Sequence, residues 1–344
     1  MLMPLHGNKY RSDPRSLAWR GVRKLVIGRD DAGQRLDRFL RKALADEALG
    51  SIFKLVRTGK VRVNGRRAKP DLRLAQGDEL ELRVADGAAA PKPRAARAGA
   101  RPIDVLYRDE HVAAVDKPPF LLVQQGEGGG EPTLDEIAVA QFGRGDALTF
   151  APSIAHRLDR DTSGIVLVGL SAEGLRGLTE AFRRRAIDKT YLALVAGRPE
   201  KDEFVVDLPL RRERKEARRG AKVSVSHAPD ALTAETAFRV LARDTRRGLA
   251  LVEARPRTGR THQIRAHLRA VKLPIVGDPV YGVPSANRDW AREPGIRRQF
   301  LHAWRVEFEH PVERGRRVTV ESPLPEDLVR TLRWAGLALP GAGR

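Results

Sequence analysis

The chain has 344 residues, 41% of them apolar and 31% charged, with a formal net charge of +20 at pH 7. That length suggests two or three domains, and the charge points to a polyanionic partner, nucleic acid before an anionic membrane surface. The absence of cysteine excludes disulfides, Cys-ligated zinc, iron–sulfur clusters and thiol nucleophiles. No apolar run reaches the length of a membrane span, and the N-terminus lacks a signal-type apolar region, so a cytoplasmic setting is expected.

Residues 1–21 are polar, basic and broken by Pro4 and Pro14, which predicts a flexible basic arm. A first folded region is expected over 22–85. Leu36, Phe39, Leu40, Ala43 and Leu44 follow helical spacing, and Ile52, Phe53, Leu55 and Val56 predict a second short helix. In KVRVNGRRAK, Asn64-Gly65 between strand-like runs predicts a tight hairpin, because both turn positions need positive φ. GDELELRV predicts a further strand. From Ser51 to Lys69 the chain carries Lys54, Arg57, Lys60, Arg62, Arg66, Arg67 and Lys69 and no acid. A charge run alone is as often a solvated surface. Here it coincides with a helix, a tight turn and the overall charge, which favours RNA contact.

Residues 86–102, DGAAAPKPRAARAGARP, read as an extended basic linker. The second folded region, 103–330, reads as α+β with strands predominating. DVLYRDEHVAAVDK predicts a hairpin and Ile165 to Leu170 a buried strand. Glu173 to Ala186 is predicted helical, with Leu175, Leu178 and Phe182 on one face. TYLALVAG predicts a strand, AETAFRVLAR and GLALVEARP a paired meander, and HAWRVEFE a half-exposed strand. THQIRAHLRAVK predicts a helix burying Ile264, Leu268 and Val271. The lack of regular βαβ alternation argues against a doubly wound sheet. Residues 331–344 are expected to be a tail.

The stretch HRLDRDTSG, His156 to Gly164, runs directly into the buried strand, so its charged residues must begin close to the core. As ordinary surface pairs they would contribute little. Thr162 and Ser163 are expected to hydrogen-bond the local backbone, and Gly164 permits a tight turn or a close backbone approach. The result would be a fixed loop able to hold a carboxylate. In RPRTGRTHQIRAHL, Arg265 is predicted to face away from the apolar stripe, sharing a polar face with His262 and Arg269. Alone, that pattern describes a basic solvated helix. Tyr191, at the start of an apolar strand, would alone be a core tyrosine. Asp159 and Asp161 suggest a metal pair or glycosidase carboxylates, but an extended segment would point them to opposite sides. The eight histidines offer no convincing metal set.

From RLDRFL through VRTGKVRVNGRRAKPDLRLAQGDEL, the first region resembles an S4 domain, which implies that the second helix and the hairpin face structured RNA. HRLDRDTSG, DKTYLALV, PRTGRTHQIRAHL, GDPVYG and LHAWRVEFEHP occur in the order found in the RluA family of pseudouridine synthases. The second region resembles that family over roughly 103–325, and HRLD-x-x-TSG is a highly specific signal. The resemblance implies a catalytic domain with a mixed, mainly antiparallel sheet and flanking helices, preceded by a small α/β S4 domain. It makes Asp159 the catalytic aspartate and Arg265 its partner. Arg157 is implied to fill the gap left by a flipped uridine. Tyr191 is implied to pack on the target base and to act in proton transfer, and Leu301 to form an apolar wall. His156, Thr162 and Gly164 shape the motif, and Asp161 has no catalytic role. No metal or other cofactor is implied.

The implied chemistry suits these residue types. Uridine must lose its N1–C1′ bond, turn, and rejoin through C5, and the nucleotide must first flip out of its stack. A guanidinium can stack in the vacated space and pair with phosphate. One carboxylate is needed as nucleophile or to stabilise positive charge at C1′. Burial raises a carboxyl pKa and a neighbouring Arg reverses that, hence the expected Asp159–Arg265 ion pair. The RluC-type subgroup, acting on large-subunit (23S) ribosomal RNA or a ribosome precursor, is the nearest match, and a monomer is expected. The alternatives are a synthase acting on tRNA or another RNA, a base-releasing glycosidase, and a non-catalytic RNA-binding ribosome-assembly factor. Two departures from the family pattern stand out. Pro119-Phe120 follows Lys-Pro where a small residue and Gly are usual, and Gln124 stands where His is common.

Overall fold

A computed structural model describes residues 22–45, 47–83, 101–125, 130–143, 145, 147–213 and 222–338. The basic arm expected at 1–21, nearly all of the linker at 86–102, and 339–344 of the expected tail lie outside them. The chain divides into two compact units. One takes in the described residues up to 83 together with Gly145–Phe150, and the other takes in the remainder.

In the first unit, β1 (Arg23–Val26), α1 (Leu36–Ala43), α2 (Leu49–Arg57), β2 (Val61–Val63), β3 (Arg66–Arg67) and β4 (Glu79–Leu82) follow in chain order. The strands form an antiparallel sheet in the order β1-β4-β2-β3. Asn64 and Gly65 have φ of 51° and 73° and close the β2–β3 hairpin, as their left-handed tolerance predicts. Leu36, Phe39 and Leu40 pack with Ile52, Leu55 and Val56 on the sheet's Val61, Leu80 and Leu82. Phe53, one of the four apolar residues that predict α2, is exposed, because the core stripe runs through Ile52, Leu55 and Val56. Asp31 is fully buried. It accepts hydrogen bonds from the backbone N–H groups of Leu148 (2.6 Å) and Thr149 (2.8 Å) and from the Thr149 hydroxyl (2.6 Å). Leu148 packs against the same core. Nothing in the local sequence announced this anchor, since its partners lie more than a hundred residues away.

The second unit begins with the antiparallel pair β5 (Asp104–Arg108) and β6 (Val112–Lys117), then α3 (Leu134–Phe142), β7 (Ser153–Ile154), β8 (Ser163–Gly169) and α4 (Ala172–Arg183). Next come β9 (Ile187–Ala196), β10 (Glu203–Asp207), β11 (Leu210–Arg212), β12 (Val223–Val225), β13 (Glu235–Asp244) and β14 (Leu249–Pro256). The unit ends with α5 (Gln263–Ala270), α6 (Pro284–Arg292), β15 (Leu301–Glu309), β16 (Arg317–Glu321) and α7 (Glu326–Trp334). Ten strands form one sheet, β10-β13-β14-β9-β15-β8-β6-β5, with β16 on β15 and β7 on β8. All its pairings are antiparallel except that of β15 with β8. This is the α+β architecture expected, with helices flanking a mixed sheet.

Strand β8 is buried throughout because both faces are covered. Ile165 and Leu167 pack with Leu178 of α4, while Val166 and Val168 pack with Leu134 and Ile137 of α3. Helix α3 went unread in the sequence although Thr133-x-x-Glu136 forms a reciprocal capping box. The expected tail boundary at 330 falls inside α7, whose Leu328 and Leu332 belong to the core with β9 and β14. Among the described residues, no helix is long and apolar enough to cross a membrane.

Candidate active site

The HRLDRDTSG segment forms the loop from β7 into β8 and carries Asp159 half-buried. Arg265 Nη1 donates to Asp159 Oδ2 at 2.9 Å, the pairing expected from the sequence. Arg265 itself is only 4% exposed, so the basic solvated helix that its sequence pattern alone describes does not hold at this position. Gln263 to Leu268 are all buried, so that part of α5 has no solvated side. Val271, assigned to the buried stripe, lies past the helix end and is exposed, as is Arg269.

A residue without an assigned role explains how Arg265 is tolerated there. Asp278, fully buried, accepts from Arg265 Nε at 2.7 Å and Nη2 at 2.9 Å, and also from the backbone N–H groups of Val280 (2.8 Å) and Tyr281 (2.9 Å). Burial raises the Asp278 carboxyl pKa, but the Arg265 hydrogen bonds and charge with the two N–H groups outweigh it and hold the group below its ordinary value. Burial likewise opposes charge on Arg265, and Asp278 with Asp159 reverses it, holding the guanidinium above its usual pKa. The Tyr281 ring lies under that guanidinium at 5.1 Å. His262, at the start of α5 with φ 53°, places Nε2 3.8 Å from Asp159 Oδ2. Burial pushes its pKa down.

The loop is fixed through its backbone. Asp159 O accepts from Thr162 N at 3.1 Å. Arg160 O accepts from Lys117 Nζ at 2.9 Å, and Asp161 O from Arg298 Nη1 at 3.1 Å. Lys117 is fully buried and also donates to Pro118 O and Leu121 O. Arg298 grips Asp327 of α7 through Nε and Nη2. The local hydrogen bonds expected of Thr162 and Ser163 are instead long-range. Thr162 Oγ1 accepts from Gln299 Nε2 at 3.2 Å, and Ser163 Oγ pairs with His302 Nδ1 at 3.0 Å. Gly164 has φ 111°, and a Cβ there would lie 2.3 Å from Ala303 O, so strand β15 requires its bareness. Asp161 contributes its carbonyl to this scaffold.

Tyr191 lies mid-strand in β9, not at its start, and its ladder partners are Ala303 and Ala254. Burial and the charge of Asp159 both raise its pKa, so the phenol stays protonated. Leu301, the first residue of β15, is buried against Ala193 of β9. His156 turns away from the Asp159 cluster. Its Nε2 accepts from Leu167 N at 3.0 Å, its ring lies 4.5 Å from Phe182, and burial pushes its pKa to about 3. Arg157 is exposed and has no side-chain partner among the described residues. One His–carboxylate group among the described residues, Asp109, His310 and Glu313, lies elsewhere, and both of its ring nitrogens are already hydrogen-bonded.

Residues 111–270 match the RNA pseudouridylate synthase family, and residues 34–80 match the S4 domain. The chain is 35% identical over 319 residues to the ribosomal large subunit pseudouridine synthase C of Escherichia coli strain K12, covering 91% of this chain and 96% of that one. The chain belongs to the RNA pseudouridylate synthase family. The corresponding Vibrio vulnificus synthase is 33% identical over 323 residues, with 91% and 96% covered. The solved structure of human RNA pseudouridylate synthase domain containing 1 is similar at a TM-score of 0.53 and 25% identity, over 65% of this chain and 84% of that one. Human RNA pseudouridylate synthase domain containing 4 shares the fold at a TM-score of 0.55 and 23% identity, over 69% and 95%. The Asp159, Tyr191 and Arg265 positions all fall within the pseudouridylate synthase match, and the basic run from Lys54 to Lys69 falls within the S4 match.

Proposed function

We propose that this synthase isomerises uridines of large-subunit ribosomal RNA, acting as a cytoplasmic monomer on the RNA or a ribosome precursor. The observation that carries the reading is the Asp159–Arg265–Asp278 chain, in which a half-exposed carboxylate is oriented by a buried and neutralised guanidinium. The relatives' printed names supply the substrate class. The target nucleotide flips out and Arg157, free and exposed, takes its place in the stack. Asp159 acts at C1′, as nucleophile or as counter-charge, while the N1–C1′ bond breaks. The Tyr191 ring holds the detached uracil as it turns. C5 then bonds to C1′, C5 loses its proton and N1, freed from the sugar, gains one, so the product is an isomer and no cofactor is consumed. Leu301 backs the pocket, and His156, Thr162 and Gly164 hold the loop's shape. Lys54, Arg57, Lys60, Arg62, Arg66, Arg67 and Lys69 contact RNA phosphates, which position the chain without reading sequence.

The test is Asp159→Asn in the full chain, with pseudouridines mapped in large-subunit RNA and in tRNA. Isomerisation should vanish while RNA affinity is retained, since Asp159 is a carboxylate and neutralises no phosphate. Undiminished isomerisation would sink the mechanism. Modification confined to tRNA would replace the substrate.

A further inference from the structure

Phe120 has φ 67°, the left-handed region that side chains bearing a Cβ avoid. It follows Pro118-Pro119 in a turn whose second central position takes positive φ, where glycine is the ordinary occupant. Strain of this kind persists when the surroundings enforce it, and it clusters at ligand-contacting positions. The surroundings do enforce it. Lys117 Nζ donates to Pro118 O at 2.8 Å and Leu121 O at 2.9 Å, and Arg160 Nε donates to the Phe120 carbonyl at 3.2 Å. The same ammonium holds the Arg160 carbonyl of the Asp159 loop. Packing does not explain the side chain, because the residue is 52% exposed. An aromatic ring therefore stands in solvent on a rigid turn fastened to the catalytic loop. Arg157 on that loop is exposed and gives its surroundings a charge suited to a phosphate backbone, while Arg160 also pairs with Glu131 at 3.1 Å.

We propose that Phe120 is an RNA-binding residue whose ring stacks on an unpaired base beside the target uridine. The proposal rests on the reading of the chain as an RNA pseudouridine synthase. Every base has a π-face, so such stacking tolerates sequence. Removing the ring weakens binding by about 5- to 150-fold. Glycine in place of Phe120 removes the ring and the strain together, so stability and binding should move in opposite directions. A packing role cannot produce that pattern.

The experiment uses the full chain with Phe120→Gly, Phe120→Ala and Phe120→Tyr, and a transcribed large-subunit RNA fragment. Phe120→Gly should raise the thermal unfolding midpoint by a few degrees and weaken RNA binding at least about fivefold, with KM rising and kcat held. Phe120→Ala should lose the same affinity without the gain in stability, and Phe120→Tyr should keep affinity. Unchanged affinity in the Gly and Ala variants overturns the proposal, as does a Gly variant less stable than the parent. If the unaltered chain binds the transcript yet forms no pseudouridine, the synthase reading fails, while the affinity comparison still decides the role of Phe120.

Discussion

Arg265 is shared between two carboxylates of unequal burial. Asp278 takes Nε and Nη2, and Asp159 receives Nη1 alone. The orientation of the guanidinium is therefore set from behind, by a residue that substrate never meets. Asp159 meets a donor already in place, so in the proposed reaction this electrostatic preorganisation needs no rearrangement.

Asp278→Asn should break the fork while leaving the shape of the turn. Removing one partner of a buried pair costs about 3–5 kcal/mol, and the lower end applies because Asp159 remains. The urea unfolding midpoint should fall, and the single-turnover isomerisation rate should fall more than RNA affinity. Unaltered turnover would mean that Asp159 alone suffices to aim Arg265.

Lys117 should give opposite pH dependences to stability and to rate. Burial, partly opposed by Asp161, Asp159 and Asp116 and reinforced by Arg298, pushes its pKa from 10.5 to about 7. Between those values the unfolded chain binds more protons, so this group makes stability rise with pH across that window. Below it the penalty is constant. Three carbonyls need the three donors of the ammonium, and the neutral amine has two. The isomerisation rate should then decline as pH rises through about 7 while the unfolding midpoint climbs. Lys117→Met should flatten both profiles in that range, and a rate profile identical to the parent's would rule out this role.

Gly164→Ala adds a methyl group that meets the Ala303 carbonyl at 2.3 Å, in a backbone conformation with φ 111°. A loss of roughly 2–4 kcal/mol is expected from strain and overpacking together. Chemical denaturation would measure it, and a neutral result would show that β8 and β15 can separate at low cost.

On the first unit, alanine at Arg57, Arg66 and Lys69, all exposed, should flatten the salt dependence of RNA binding. Every phosphate left without its cation reduces the slope of log K against log salt by about 0.7–0.9. Isomerisation at saturating RNA should be unaffected. A parallel salt titration would show the same slope if the basic face points away from RNA.

What the sequence revealed was local. The Asn64-Gly65 hairpin needs only two adjacent residues, and the HRLD loop announces itself by charge at the mouth of an apolar run. The pairing of Asp159 with Arg265 came from family resemblance, since neither residue's neighbours imply it. Taken alone, helical periodicity puts Arg265 on a solvated face, because it assumes that a charge faces water. Here Asp278, thirteen residues on, and Asp159, more than a hundred back, neutralise it inside the core. Lys117 and Arg298 escaped notice for a related reason. Their partners include backbone carbonyls of a distant loop, and carbonyls have no sequence signature.

Asp31 has an implication for inheritance. The S4-type unit looks like a cassette joined at 86–102, yet its buried carboxylate takes three hydrogen bonds from Leu148 and Thr149. A recombination event at that junction would deliver a module with a buried carboxyl group and none of these donors to meet it. The unit can be transplanted only with a second, short stretch of the gene, so the two parts of this enzyme are constrained to travel through evolution together.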